Sequence, residues 1–224
     1  MQFMLCDDLC FCKSAGAVIF LDARTGRYFA LPSHFVGAFS RWIDGFQPSC
    51  DDVQILEHLA QQGILVETEH PPQCFNIKFA SLPPPAVEIG LDGRFPSFQL
   101  AVCAIASRLI WTWRVRHHSF SSLIDRIKNI RSSSSRKTVR GAQRDLVRLV
   151  HAFRFSDLLL GSHDRCLPRS LALVATCRKY GLSPLLVIGI QAAPFAAHCW
   201  VQDGDVVVNE SPDRAQMFTP ILVA

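Results

Sequence analysis

Residues 164–212 read DRCLPRSLALVATCRKYGLSPLLVIGIQAAPFAAHCWVQDGDVVVNESP, and both the fold and the chemistry turn on how this stretch divides. Cys166 stands where a helix begins. Asp164 is the expected N-cap, since its carboxylate can accept from the first free amides. Pro168 fits an early helical position, where the missing N–H costs nothing. Leu167, Leu171, Val174 and Arg178 drift along one side as far as Gly181, which reads as the stop. Leu185 to Ile190 then reads as a buried strand. Ala197 to Val201 and Val206 to Glu210 read as two more, joined by a turn at Gln202-Asp203-Gly204-Asp205. Antiparallel pairing across that turn allows His198 and Glu210 to stand side by side, in a register that the sequence leaves open, and the helix end would pack its thiol against the same sheet.

A thiol is a useful nucleophile only when its pKa is lowered or its proton is removed. The N-terminus of a helix and a nearby imidazole do both. Cys166, His198 and Glu210 are therefore the candidate catalytic residues, with Asp213 as a second acid in reserve. Plainer readings compete with this one. A buried cysteine is ordinarily a small hydrophobe, which suits Cys103, Cys177 and Cys199, and a histidine on an apolar strand is ordinarily a satisfied core residue. A zinc site using Cys166, His163 or His198 and a further cysteine has poor geometry. Cys177 lies about 16 Å along the same helix at ~1.5 Å per residue, far beyond a shared ion bound at ~2.3 Å. Cys6, Cys10 and Cys12 lack a matching second pair. Ser162-His163-Asp164 are contiguous, which does not make a triad.

The 224 residues carry 49% hydrophobic and 19% charged side chains, the balance of a globular protein with ample core material. The net charge of +4 is mild. Basic residues cluster between Arg108 and Arg154, but no nucleic-acid motif accompanies them, and they read as the solvated side of helices. The nine cysteines are an odd, scattered set. MQFMLCDDLC has acids where a signal peptide would be apolar, so a reduced, cytoplasmic protein is expected. The most apolar segment, Leu100 to Trp113, is interrupted by Arg108 and falls short of the ~20 residues a membrane helix needs. It reads as a buried helix, with no membrane insertion.

Upstream, residues 17–31 form the clearest hairpin in the chain: two runs rich in β-branched and aromatic residues, with Gly26 supplying positive φ between them. An earlier strand around Leu9 to Cys12 is placed to pair with it. Pro32-Ser33 starts a helix with Phe35, Val36, Phe39, Trp42 and Ile43 on one face. Asp51-Asp52 opens another, with Val53, Leu56 and Leu59 inward and Gly63 at its stop, and Ile64-Leu65-Val66 leads out. Pro71-Pro72 and Pro83-Pro84-Pro85 cannot continue a helix or enter a sheet interior. They divide the chain into a front domain at 1–82, a proline-rich linker at 83–97 and a second domain at 98–224. Helices are expected near 98–116, 120–130 and 141–155, with a polar basic loop from Arg131 to Lys137. The fold class is α+β.

Several of these elements jointly resemble the C-terminal domain of the lasso-peptide biosynthesis B proteins, leader peptidases of the transglutaminase-like, papain-related superfamily. They are the Cys166-Leu167 helix start, Leu186-Val187-Ile188-Gly189 followed by Pro194-Phe195, His198 with Trp200-Val201, and Val208-Asn209 with Pro212. The front unit, with Thr25 to Phe29 and Leu31, is similar to the small winged, PqqD-like domains that recognise leader peptides. The resemblance implies helices packed on an antiparallel sheet behind a winged hairpin-and-helix domain. It also implies a cysteine endopeptidase with Cys166 as nucleophile, His198 as base and then acid, and Glu210, where the family usually has aspartate, as orienter.

The implied partners are the leader of a precursor peptide and an asparagine-synthetase-like, ATP-dependent lasso cyclase. No cofactor is implied, and the chain shows no P-loop pattern. The leader would add as a strand along Tyr28, Phe29, Ala30 and Leu31, with Val53 and Leu56 on the facing helix. Two alternatives stay open: a non-catalytic carrier that presents the precursor to the cyclase, and a thiol acyltransferase of the same fold.

Overall fold

The computed structural model describes residues 2–68, 82–90, 95–130, 139–161 and 165–224. Pro71, Pro72, the 131–137 run and residues 162–164, including Asp164 and His163, lie outside the described residues.

The front unit opens with β1 (Gln2–Leu5), β2 (Leu9–Ser14), β3 (Ala17–Asp22) and β4 (Arg27–Ala30), followed by α1 (Ser33–Ile43), α2 (Cys50–Gln61) and β5 (Leu65–Thr68). β2, β3 and β4 make an antiparallel meander, with Phe20 opposite Phe29 and Leu21 opposite Tyr28. Its second turn is built by Asp22, whose carboxylate accepts from the Arg24 amide at 2.8 Å and the Thr25 hydroxyl at 2.7 Å. Gly26 takes φ +73°, the left-handed conformation expected of it. β1 pairs with β5 in a separate two-stranded ribbon that the sequence reading did not anticipate. α2 is held by a capping box, in which Ser49 and Asp52 exchange side-chain and backbone hydrogen bonds.

β3 is buried on both faces. Val18 and Phe20 join Phe11, Phe39, Trp42 and Leu56 in a front core. Ile19 and Leu21, with Cys12 beside them, join the core of the rest of the chain. The run Val18-Ile19-Phe20-Leu21 therefore does not alternate apolar with polar, as a strand with one wet face would. The three-stranded sheet is a wall shared by two cores.

The second unit comprises β6 (Val87–Glu88), α3 (Phe98–His117), α4 (Phe120–Lys128), α5 (Val139–Leu160), α6 (Cys166–Lys179), β7 (Leu185–Gln191), β8 (Ala196–Asp203), β9 (Val206–Val207), α7 (Pro212–Gln216) and β10 (Thr219–Val223). Its sheet has the order β10-β7-β8-β9-β6, antiparallel except for β6 on β9. α6 lies on this sheet, and α3 and α5 pack over α6. The class is α+β, as the sequence implies.

Residues 83–88, read from sequence as linker, run along the outer edge of the second sheet. Ala86 and Val87 donate to the Asp205 carbonyl, and the Pro83 carbonyl accepts from Gln202 Nε2 at 2.7 Å. α3 differs from the buried helix expected. Ala101, Ala104, Arg108 and Trp111 face inward, whereas Leu109 and Trp113 are 54% and 56% exposed. Small inward residues let α3 approach α6 closely, and Ser107 Oγ donates to the Ala172 carbonyl at 3.3 Å.

Leu21 tests the shared wall, because it is fully buried yet belongs to the core behind the sheet. Leu21→Ala should cost about 2–5 kcal/mol in urea unfolding of the whole chain. A loss below about 0.5 kcal/mol, the scale of ordinary surface substitutions, would mean that the front sheet is not braced from behind.

Candidate active site

Cys166 occupies the first position of α6. The cap position is Arg165, whose side chain makes no capping bond, and Asp164 is outside the described residues. Among the described residues no side chain caps the first turn, whose partial positive charge favours a thiolate at its first position.

His198 sits on β8 opposite Gly189 of β7. Its Nε2 meets Glu210 Oε2 at 2.8 Å, which leaves Nδ1 as the ring nitrogen for the thiol. Cys166 hydrogen-bonds the imidazole. The structure thus brings Cys166, His198 and Glu210 into one row, while Asp213 lies in the first turn of α7. Glu210 is not on a strand, as the sequence suggested. β9 ends at Val207, and after Val208 donates to the Val201 carbonyl the chain bends away. Asn209 takes over the ladder with its side chain: Oδ1 accepts from the Val201 amide at 2.7 Å, and Nδ2 donates to Ser170 Oγ at 2.9 Å.

The electrostatics follow from this row. Burial alone would raise the Cys166 thiol. The hydrogen bond and charge of His198, with the backbone amides of Cys199 and Leu167, outweigh it and hold the thiol below its ordinary value. Burial opposes the charged form of His198, but bonding to Cys166 and Glu210 wins, and its pKa rises to about 9. Burial would also raise Glu210, yet His198 and the Ser211 amide hold it low. The row favours the charged form of all three groups, as a thiolate–imidazolium pair backed by a carboxylate needs. Cys177, buried without such partners, is pushed up to about 12.

The imidazole is packed as well as bonded. Its centroid lies 5.2 Å from that of Phe218 and 6.3 Å from that of Trp200. Gly189 makes room for both rings: a Cβ there would stand 2.7 Å from Phe218 Cβ and 2.7 Å from Trp200 Cζ3. Below the site, Arg169 donates to the Asn209 carbonyl at 2.9 Å and to Asp157 at 2.6 Å. Asp157 in turn meets the buried Arg108 at 2.8 Å. Sequence reasoning assigned no role to Gly189, Arg169, Asn209 or Arg108. The glycine in an apolar strand was the available signal, since such a position marks close approach.

The model for the transglutaminase-like superfamily matches residues 108–223, just over half of the 224. The chain belongs to the transglutaminase-like superfamily. The match begins at the buried Arg108 and takes in the whole Cys166–His198–Glu210 row. The superfamily includes cysteine proteases and acyltransferases. No curated protein and no solved structure matches the chain. Among the described residues of this transglutaminase-like protein, no helix is long and apolar enough to cross a membrane, and no three metal-ligating side chains converge.

The candidate peptide-binding residues are divided by the fold. Tyr28 is half-buried and faces the second unit, where its ring lies 5.8 Å from that of Phe195. Phe29 is 37% exposed and stacks on Phe20, and Ala30 is exposed. Leu31 and Leu56 are 4% and 0% exposed in the front core, so their side chains are committed to packing and do not face a peptide. Both project inward, because α2 and the end of β4 must seal the same core. Val53 is partly buried, on a helix that packs chiefly against α1 and β5.

Iodoacetamide should alkylate Cys166 far faster than the exposed Cys50 at about neutral pH, and His198→Ala should erase most of the difference. Equal rates in the wild-type chain would remove the thiolate. Gly189→Ala should destabilise by about 1–3 kcal/mol through overpacking and slow Cys166 alkylation, because Trp200 and Phe218 must move. An unshifted urea midpoint together with an unchanged alkylation rate would mean that the ring packing does not depend on this glycine.

Proposed function

We propose that this transglutaminase-like protein is a cysteine peptidase that removes the leader from a ribosomally made precursor before an ATP-dependent, asparagine-synthetase-like cyclase closes a lasso ring. The observation that carries the reading is the hydrogen-bonded row from Glu210 through His198 to a thiol in the first turn of a helix. That constellation suits acyl transfer from a peptide bond. The lasso assignment is supported by the sequence resemblance and by a front unit whose strand β4 is a free sheet edge among the described residues.

In this mechanism the Cys166 thiolate attacks the scissile carbonyl carbon and forms the C–S bond. His198 gives its Nδ1 proton to the leaving amine as the C–N bond breaks. Water then attacks the thioester while His198 takes up a proton. The leader acid leaves, and the thiolate–imidazolium pair is restored. Glu210 keeps its bond to Nε2 throughout, fixing the ring orientation and favouring the protonated imidazole. The amides of Cys199 and Leu167, already directed at the sulfur, are the nearest donors for the developing oxyanion.

The leader is captured by strand addition at β4. Leu31 N donates to the Val18 carbonyl at 2.8 Å. Bonded and unbonded pairs alternate along an antiparallel ladder, so Arg27 and Phe29 turn their backbone groups toward β3. Tyr28 and Ala30 turn theirs to the open edge, where main-chain hydrogen bonds would hold a peptide.

Cys166→Ala should abolish cleavage of a precursor peptide, read by mass spectrometry, while leaving its binding intact; full cleavage by that variant would refute the assignment. Glu210→Gln should slow cleavage by at least about tenfold by weakening the imidazolium, and an unchanged rate would remove the acid from the row. Cleavage should decline as pH rises through about 9, where His198 loses the proton that it gives to the leaving amine. A product carrying an added amine in place of water would make the protein a transferase.

A further inference from the structure

The active-site row lies in the second unit, yet Tyr28 of the front unit packs against the same core as Cys166. Leu21 and Tyr28 are cross-strand partners on the face of the shared sheet that looks toward the second unit. The hairpin is pinned there at two places. Its turn brings Gly26 against Phe120 of α4, where a Cβ would stand 3.1 Å from Phe120 Cβ. Its strand brings the Tyr28 ring to within 5.8 Å of Phe195, tilted by 60°. Phe195 is 57% exposed and belongs to the short turn between β7 and β8 that leads directly into His198. An aromatic that far in water, on the turn that leads into the His198 strand, has unused apolar surface to offer a ligand.

The geometry points to Tyr28 and Phe195 as a composite subsite, built from both units, that selects an apolar side chain of the substrate beside the scissile bond. This rests on Cys166 being a peptide-directed nucleophile. Three observations converge on it. The backbone of Tyr28 faces the open edge of β4, so a peptide strand added there runs past this residue. The side chain of Tyr28 is directed into the second unit, where burial, and then the charges of Cys199 and Cys166, push its phenol up to about 12. The phenol therefore stays neutral at the thiolate's side and adds no charge to the subsite. Phe195, in contact with Tyr28 and 57% exposed, extends its apolar surface from the chain that carries His198. The two rings touch, so together they make one apolar surface; a strand held at β4 passes across it toward the thiol, and a branched aliphatic or aromatic side chain covers it best. The front unit then chooses the cleaved bond as well as capturing the leader.

The test uses the full chain and thiol-directed probes, so it needs no knowledge of the natural precursor. A matched set of short peptidyl vinyl sulfones would carry Leu, Phe, Gly or Asp next to the reactive group, with iodoacetamide as the probe that has no side chain. Alkylation of Cys166 would be followed by mass spectrometry. The wild-type chain should prefer Leu or Phe over Gly by at least about tenfold, as one apolar pocket allows. Tyr28→Ala and Phe195→Ala should each shrink that ratio about tenfold, while Tyr28→Phe should keep most of it. The ratio is the readout because a general change in thiol reactivity cancels from it. Phe195 lies in an exposed turn, so its variant remains informative if Tyr28→Ala does not fold. A wild-type chain without preference, or a ratio that survives both alanine variants, overturns the subsite and leaves the peptidase reading standing. Iodoacetamide labelling Cys166 no faster than the exposed Cys50 overturns both.

Discussion

Arg169 ties the helix that carries the thiol to the chain that carries the acid. It stands one turn after Cys166 on α6, and its guanidinium holds both the Asn209 carbonyl and Asp157. Asp157 is shared with Arg108, which also donates to Ser156 Oγ at 3.0 Å and to the Gly161 carbonyl at 2.6 Å. Two cations for one carboxylate is an unbalanced group to bury, and unpaired buried charge is expensive. The excess is met by the end of α5, whose terminal carbonyls carry partial negative charge. Arg165 joins the same helix end through the Leu160 carbonyl at 3.1 Å. Four segments of the transglutaminase-like unit are fixed together by this network: α3, α5, the start of α6 and the bend before Glu210. The distance between nucleophile and acid is set by these buried bonds, not by the sheet alone.

The second constraint is the shared sheet. A strand buried on both faces cannot be shifted by one residue without exchanging the contents of two cores. The hairpin register therefore also fixes where Tyr28 stands relative to Cys166. The front hairpin is thereby built into the wall of the second core.

Much of this is legible in the sequence. Cys166 and His198 stood out because a proline-bearing helix start and an apolar strand are unusual settings for a thiol and an imidazole. The helices announced themselves by periodicity, from Phe39 and Trp42 in α1 to Leu146, Leu149 and Phe153 in α5. What stayed hidden depended on distant partners. β1 is short, and only its pairing with β5, some sixty residues later, makes it a strand. The continuous run Val18 to Leu21 looked like half of a simple hairpin, because a strand covered on both faces has no alternation to reveal its second partner. Arg108 looked like an interruption in an apolar helix, whereas it is the centre of the polar network. Leu31 and Leu56 looked available to a peptide because a sequence lists apolar residues without saying which face is already occupied.

Glu210 shows how the network shapes the chemistry. The ladder between β8 and β9 stops at Val208, and from there the chain is positioned by Asn209, whose carbonyl is held by Arg169 and whose side chain is held by Val201 and Ser170. From that bend the glutamate spends one carboxylate oxygen on the Ser211 amide at 3.1 Å and the other on His198 at 2.8 Å. Both bonds lower its pKa, and together they leave the carboxylate little freedom to rotate. An aspartate has one methylene fewer. It could regain the bond to His198 only by drawing the bend toward β8, against the Asn209 and Arg169 contacts that hold it. The longer acid is thus the one that this backbone path accommodates.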